Sequence, residues 1–342
     1  MAKSLAFIVG ILTPLIPSLV SAHEVYVLDA ETIARSIAVI SPNPFTAYIG
    51  NEFNFFFWGF ISFVTVSTIL CSSVFRVFER KLDPFLFYLK RWAHLIVRVT
   101  AGLCLISYGI ATSFFGPELP LPEIFGSGTM LMQALFLLLG VCILVGLQTR
   151  LCAFLALLVF LYGTLNIGIY SLTYLGHVGA YLFLIIRGGG EYTIDHSFHL
   201  GWQSRKQAER VSLFAFPVLR VTFGLGIIFA SLYGKLWHSQ LALEVITRYG
   251  LTAYFPFDPL FVVLGALIIE FAAGLMLVLG IEVRWTALFL LFWLILSHMY
   301  FREAFWVHLP LFGYGIAIFC HGYDRYSLEG RLFKGRGVEP VF

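Results

Sequence analysis

"GVCILVGLQTR", residues Gly140–Arg150, returns as "GLMLVLGIEVR", residues Gly274–Arg284, with both glycines and the closing arginine in register. Two further segments repeat around it in the same order. "RVTAGL" (Arg98–Leu103) returns as "RVTFGL" (Arg220–Leu225), and "YTID" (Tyr192–Asp195) as "YSLE" (Tyr326–Glu329). Apolar helices resemble one another easily by chance, but here the matched positions are Arg, Gly and Tyr, beside loops on one side. The chain therefore reads as an internal duplication, and this duplication organises what lies between the repeats.

The 342 residues are 59% hydrophobic and 17% aromatic, and only 12% are charged. A soluble domain carries about 25% charged residues. With so few charges to cover so much apolar surface, lipid is the solvent, and the expected fold is an all-α polytopic transmembrane bundle. The net charge of +3 says little, because in a membrane protein the placement of the positive residues matters. No nucleic-acid partner is expected. Cys71, Cys104, Cys142, Cys152 and Cys320 all lie in apolar stretches without a CxxC pair, as small residues packed among helices do.

A membrane span needs about 20 apolar residues, and hydropathy places nine, near 53–75, 93–114, 129–147, 151–170, 172–187, 212–234, 260–280, 285–303 and 305–321. If these alternate, Arg76, Arg80, Lys81, Lys90, Arg91, Arg150, Arg187, Arg205, Lys206, Arg210, Arg284, Arg325, Arg331, Lys334 and Arg336 share one side. The other side holds Arg35, Lys235, Arg248 and Arg302. The positive-inside rule then puts the C-terminus in the cytoplasm and the mature N-terminus outside an inner or plasma membrane. The start of the chain agrees: Lys3, the apolar run Leu5–Leu19 and the small residues Val20-Ser21-Ala22 form a secretory signal, with cleavage expected before His23.

Each repeat holds four helices, so both enter the membrane in the same orientation, a parallel repeat about an axis along the membrane normal. The expected division is a signal peptide (1–22), then an N-terminal segment with the first helix and a basic cytoplasmic linker (23–91). The first four-helix unit (92–200), a linker (201–211), the second unit (212–333) and a cytoplasmic tail (334–342) follow. The linker "RVFERKLDPFLFYLKR" is basic and aromatic, suited to lie on an anionic inner leaflet. The repeated glycines allow close approach of helix backbones, and Arg98 and Arg220 sit where a guanidinium can snorkel or bond carbonyls.

On these residues the second unit resembles the DoxX/DoxD-like integral membrane family. The likeness rests on Arg220-Val-Thr-Phe-Gly224, Gly234-Lys235 at the helix end, and Glu270 with Gly274 and Gly280, followed by Arg284 and "YSLEGRLF". The first unit resembles a degenerate copy, with Phe136 in the place of Glu270 and no lysine after Gly109. The resemblance covers Trp92 to about Phe333. It implies tandem four-helix units and a subunit of a quinone-linked oxidoreductase system, with lipid and partner subunits of a redox complex as its neighbours.

Ionisable residues inside membrane helices are costly, on the order of 3 kcal/mol for a central charge, so each asks for a partner. Glu270, mid-helix, and His298 and His308, nearer the outer surface, are the candidate catalytic cluster: facing one cavity, they suit a quinone headgroup and its protons, or a divalent metal. His177 lies at a similar depth. Arg220 and Lys235 are candidate cofactor-binding residues, although Lys235 reaches Glu270 only by folding back into the bundle. As the last residue of its helix, it more simply answers the negative helix end. An N-terminal His23 offers an amine and a ring nitrogen, a chelating pair for copper that His238 would help complete. The "RGGGEY" segment lacks the strand, Lys-Ser/Thr and helix of a phosphate loop, and no Ser-His-Asp, HExxH or ATP-binding signature is present. Three readings remain: quinone-linked redox subunit, copper-handling or small-solute transport protein, and non-catalytic membrane scaffold.

Overall fold

The computed structural model describes residues 27–190, 192–197, 213–254 and 257–332. They form an all-α, multi-pass helical bundle. Its helices are α1 (Ala30–Ala38), α2 (Phe55–Ala111), α3 (Thr129–Val145), α4 (Thr149–Ile167), α5 (Leu175–Arg187), α6 (Ala215–Leu232), α7 (Ser239–Arg248), α8 (Pro259–Leu279), α9 (Val283–Phe301) and α10 (Phe305–His321). Among the described residues, six helical stretches are long and apolar enough to cross a membrane. One of them runs through both α4 and α5, and α10 is a shorter apolar helix. Their outward faces are what lipid requires: Leu165 is 80% exposed, Met299 71% and Phe63 70%.

The two units pack by one rule. The first helix of each lies against its own second helix and against the fourth helix of the other unit: α2 on α3 and α10, α6 on α8 and α5. Glycine makes the first contact. A Cβ on Gly140 would stand 2.8 Å from the carbonyl oxygen of Gly102, and one on Gly274 2.8 Å from that of Gly224, so only glycine lets these backbones meet. The second contact also repeats. Thr100 of "RVT" fills the space beside Gly313, and Thr222 the space beside Gly179. The buried core runs through both units along these seams.

The tail motif has a job at the helix ends. Helices α3 and α8 close on left-handed Gly146 and Gly280, with φ of 76° and 70°, the conformation that favours glycine. The chain turns straight into α4 and α9, whose first amides have no partner within the helix. Asp195 of "YTID" accepts from the amides of Gln148 at 2.7 Å and Thr149 at 3.1 Å, and Glu329 of "YSLE" from that of Val283 at 3.0 Å. The opposite need, at the carbonyl end of each fourth helix, is met by the repeated arginine. Arg150 donates to the Ile186 carbonyl at 3.3 Å, and Arg284 to those of Phe319 at 2.5 Å and Cys320 at 3.2 Å.

Three features differ from the expectation. The stretch expected as a first helix, a basic linker and a second helix is helical without interruption over Phe55–Ala111. A straight helix of that length would reach about 85 Å. Yet Phe57 packs on Phe261 at the start of α8, Trp92 stacks on Tyr192 at the arginine-rich end, and Tyr108 meets Trp306 back at the start of α10. The axis of this helical stretch is therefore not straight between Phe57 and Tyr108. Next, the connector after α2 forms a two-stranded antiparallel hairpin, Ser113–Phe114 with Gly116–Pro120. Finally, the segment after α6 is largely helical: a π-helical turn at Tyr233–Trp237 leads into α7, which buries Leu241 and Val245 against Val27 and Leu28. Asp29 caps α1 through the Thr32 amide at 2.9 Å and pairs with Arg248 at 3.0 Å, bonds that lower its carboxyl to about 2. The expected signal peptide and cleavage point, the expected linker 201–211 and the expected tail 334–342 lie outside the described residues.

Two glycines of α8 test this packing. Gly274→Val drives a side chain into the α6 backbone and should cost about 1–3 kcal/mol or more. Gly265→Ala meets nothing within 4 Å and should be neutral or stabilising by up to about 1 kcal/mol. Thermal unfolding in detergent, followed by tryptophan fluorescence, checks both; equal effects at the two positions would contradict the backbone contact.

Candidate functional site

A cavity of about 150 Å³ opens between the second unit and α5 of the first. Its wall is mostly aromatic and aliphatic, with Tyr174, His177, Trp293 and Tyr314 among the residues that line it. Into this apolar setting come a cation and an anion: Lys235 Nζ lies 2.9 Å from Glu270 Oε2, with side chains only 8% and 13% exposed. The π-helical turn explains how Lys235 reaches inward. Its wider winding carries the lysine off the course of α6 and turns it back toward α8. Lys235 therefore partners Glu270 and does not merely neutralise a helix end. A buried ion pair of this kind is held only if the geometry is good, since desolvation of each charge costs several kcal/mol.

Other polar groups stand around it. The Tyr108 hydroxyl and His177 Nε2 share a hydrogen bond of 2.5 Å within the first unit, between α2 and α5. Tyr314 is fully buried, and its hydroxyl has no oxygen or nitrogen partner among the described residues. Tyr170 and Tyr174 also line the cavity, and both donate to Oε1 of Glu118 on the hairpin, Tyr170 at 3.0 Å. Burial raises the Glu118 carboxyl to about 7, against the lowering effect of the two tyrosine bonds. Nothing in the sequence marks this acid, which lies in a proline-rich connector.

The remaining sequence candidates fall elsewhere. His298 and His308 come together, not with Glu270 but with Glu303 of the turn between α9 and α10. One ligand atom from each of the three lies within 4.8 Å of the others. Neither histidine lines the cavity. Hydropathy does not pick out Glu303, although His298, Glu303 and His308 follow one another at a constant interval of five residues. Arg220 is buried and lies away from the cavity lining. It donates to Asp324 at 2.8 Å and to the carbonyls of Leu277 and Val278 at the end of α8. It is thus a structural clasp. His238 follows the π-helical turn and packs on the Tyr233 ring at 4.6 Å, apart from the His298 group. His23 lies outside the described residues. No family model, curated protein or solved structure matches the chain.

The raised Glu118 carboxyl makes stability depend on pH. The folded protein keeps this proton up to about pH 7, whereas the unfolded chain releases it near 4.5. The folded state thus binds more protons in that window, and stability must fall as pH rises through it. Melting temperatures across this range should fall for the native chain, and Glu118→Gln should flatten that slope; parallel profiles would contradict the burial of the acid.

Proposed function

We propose that this protein is a DoxX-like membrane subunit of a quinone-linked redox system, and that its cavity receives the oxygen-bearing ring of a quinone or its hydroquinone. The observation that carries the reading is the Lys235–Glu270 pair set in the wall of an otherwise apolar, aromatic cavity. An apolar space of roughly 150 Å³ is enough for a benzene ring, and a membrane bundle is reached by lipid-soluble rings from the bilayer. A purely architectural role gives no reason to set two charges there, because well-packed apolar residues hold helices at least as well.

A quinone, when bound, takes up or gives back electron pairs together with protons, and the electrons belong to a partner chain of the system. This chain's part is to bind and to manage protons. The Lys235 ammonium donates to a ring carbonyl oxygen, and the Glu270 carboxylate accepts from a ring hydroxyl or passes a proton to it. Tyr174, Tyr314 and Trp293 flank the ring and exclude water. By the positive-inside rule, the end that bears Arg150, Arg187 and Arg284 faces the cytoplasm of an inner or plasma membrane, and the cavity lies toward the outer half.

Binding of a short-chain ubiquinone analogue to the detergent-purified protein, followed by quenching of tryptophan fluorescence, tests the reading. Glu270→Gln should weaken binding by about 10- to 100-fold, the worth of a hydrogen bond to a charged group. Saturable binding that is unchanged in Glu270→Gln, or absent from the native chain, would contradict it.

A further inference from the structure

We propose that the turn between α9 and α10 is a site for a divalent transition-metal ion, held by His298, Glu303 and His308. The proposal rests on no part of the cavity reading, since these residues do not line the cavity.

The sequence brings them together through a helical hairpin. His298 ends α9 in its last turn, Arg302 breaks the helix in a left-handed conformation (φ 56°), and α10 restarts at Phe305 with His308 in its first turn. The Glu303 amide donates to the His298 carbonyl at 3.3 Å, which folds the acid back between the two histidines. The result is one ligand atom from each residue, all within 4.8 Å of one another. Zinc holds such atoms at roughly 2.0–2.2 Å, so small side-chain rotations are enough to set all three on one ion.

Burial and orientation separate this group from a casual ion pair. Glu303 is 5% exposed and His308 fully buried, and Nε2 of His308 meets Oε2 of Glu303 directly. That bond alone would make a plain His–Glu pair. It leaves unexplained why a second imidazole stands beside it, with its ring and that of His308 6.0 Å apart and nearly perpendicular. Nδ1 of His298 is buried and has no hydrogen-bond partner among the described residues, a costly state for a ring nitrogen that a metal ion would relieve. The carboxylate is also steadied from outside: Ser297 Oγ donates to Glu303 Oε1 at 3.3 Å, as the supporting groups of metal ligands do. Phe305 and Phe312 close the surroundings with apolar rings.

Two imidazoles and one carboxylate select the metal class. Hard magnesium and calcium prefer all-oxygen sites, whereas this donor set suits zinc and its neighbours. Three protein ligands leave a fourth tetrahedral position for water or a small ligand, the pattern of open rather than closed zinc sites.

The test uses the full chain, purified in mild detergent and stripped with a chelator. Cobalt(II) is titrated while visible absorption is followed, and zinc is then added as a competitor. The expected result is one cobalt per chain with the intense bands of a tetrahedral site, displaced by one equivalent of zinc. His298→Gln and Glu303→Gln should each weaken binding by about 100-fold or more, and Ser297→Ala, which only positions the acid, by about tenfold. Glu303 is buried, so its variant could lose metal by unfolding; His298 is only partly buried, and its variant should melt as the native apoprotein does while losing the rise in melting temperature that zinc gives the native chain. No saturable binding at one equivalent would overturn the proposal. So would binding undiminished in His298→Gln, or binding lost in His23→Ala but kept in His298→Gln.

Discussion

Inside a bilayer no polar group can turn to water, so each must be answered from within the protein. The repeated residues of this chain are answers to that constraint. Asp195 and Glu329 satisfy the opening amides of α4 and α9, and Arg150 and Arg284 bond the closing carbonyls of α5 and α10. With the helix ends satisfied locally, the helices are free to approach as closely as Gly102–Gly140 and Gly224–Gly274 allow. Lipid gives helices no hydrophobic reason to associate, so close packing and internal hydrogen bonds carry the assembly.

The two units then part ways where the constraint is met differently. Arg98 donates to the Gly189 carbonyl, at 2.7 Å, whereas Arg220 finds Asp324. At the position of Glu270 the first unit places Phe136, fully buried in its core. One helix therefore packs solid and its counterpart keeps a charge, which obliges Lys235 to turn inward. The space beside that ion pair, between the second unit and α5, is the cavity. Contacts that repeat between the two units thus frame a pocket whose ion pair comes from the second unit.

The helical bundle was legible because so few charges cover so much apolar sequence, and the repeated segments stood out because glycine and arginine seldom recur by chance at matching positions of an apolar chain. The recurrence of "YTID" as "YSLE" was visible too, but as a pattern whose purpose the sequence did not show. What sequence could not convey was pairing across the bundle. A π-helical turn is not encoded in a short motif, so Lys235 read as a helix-end charge. Helix α7 was hidden because only one of its faces is apolar, with Leu241, Ala242, Val245 and Ile246 buried, and hydropathy averages that face away. Glu303 escaped because it sits in a turn, where an acid is ordinary; the even spacing of His298, Glu303 and His308 was the available signal. The grouping of Glu270 with the two histidines followed from depth alone, and depth does not say which helix faces which.

The central claim is that Lys235 and Glu270, 2.9 Å apart, satisfy each other within the apolar wall. A thermal-stability cycle of Lys235→Met, Glu270→Leu and the double variant measures it most directly. Each single change strands a buried charge and should cost about 3–5 kcal/mol, whereas the double variant should regain most of that loss. A double variant that loses the sum of the two single losses would show that the charges do not answer one another, and the paired donor and acceptor of the cavity would fall with them.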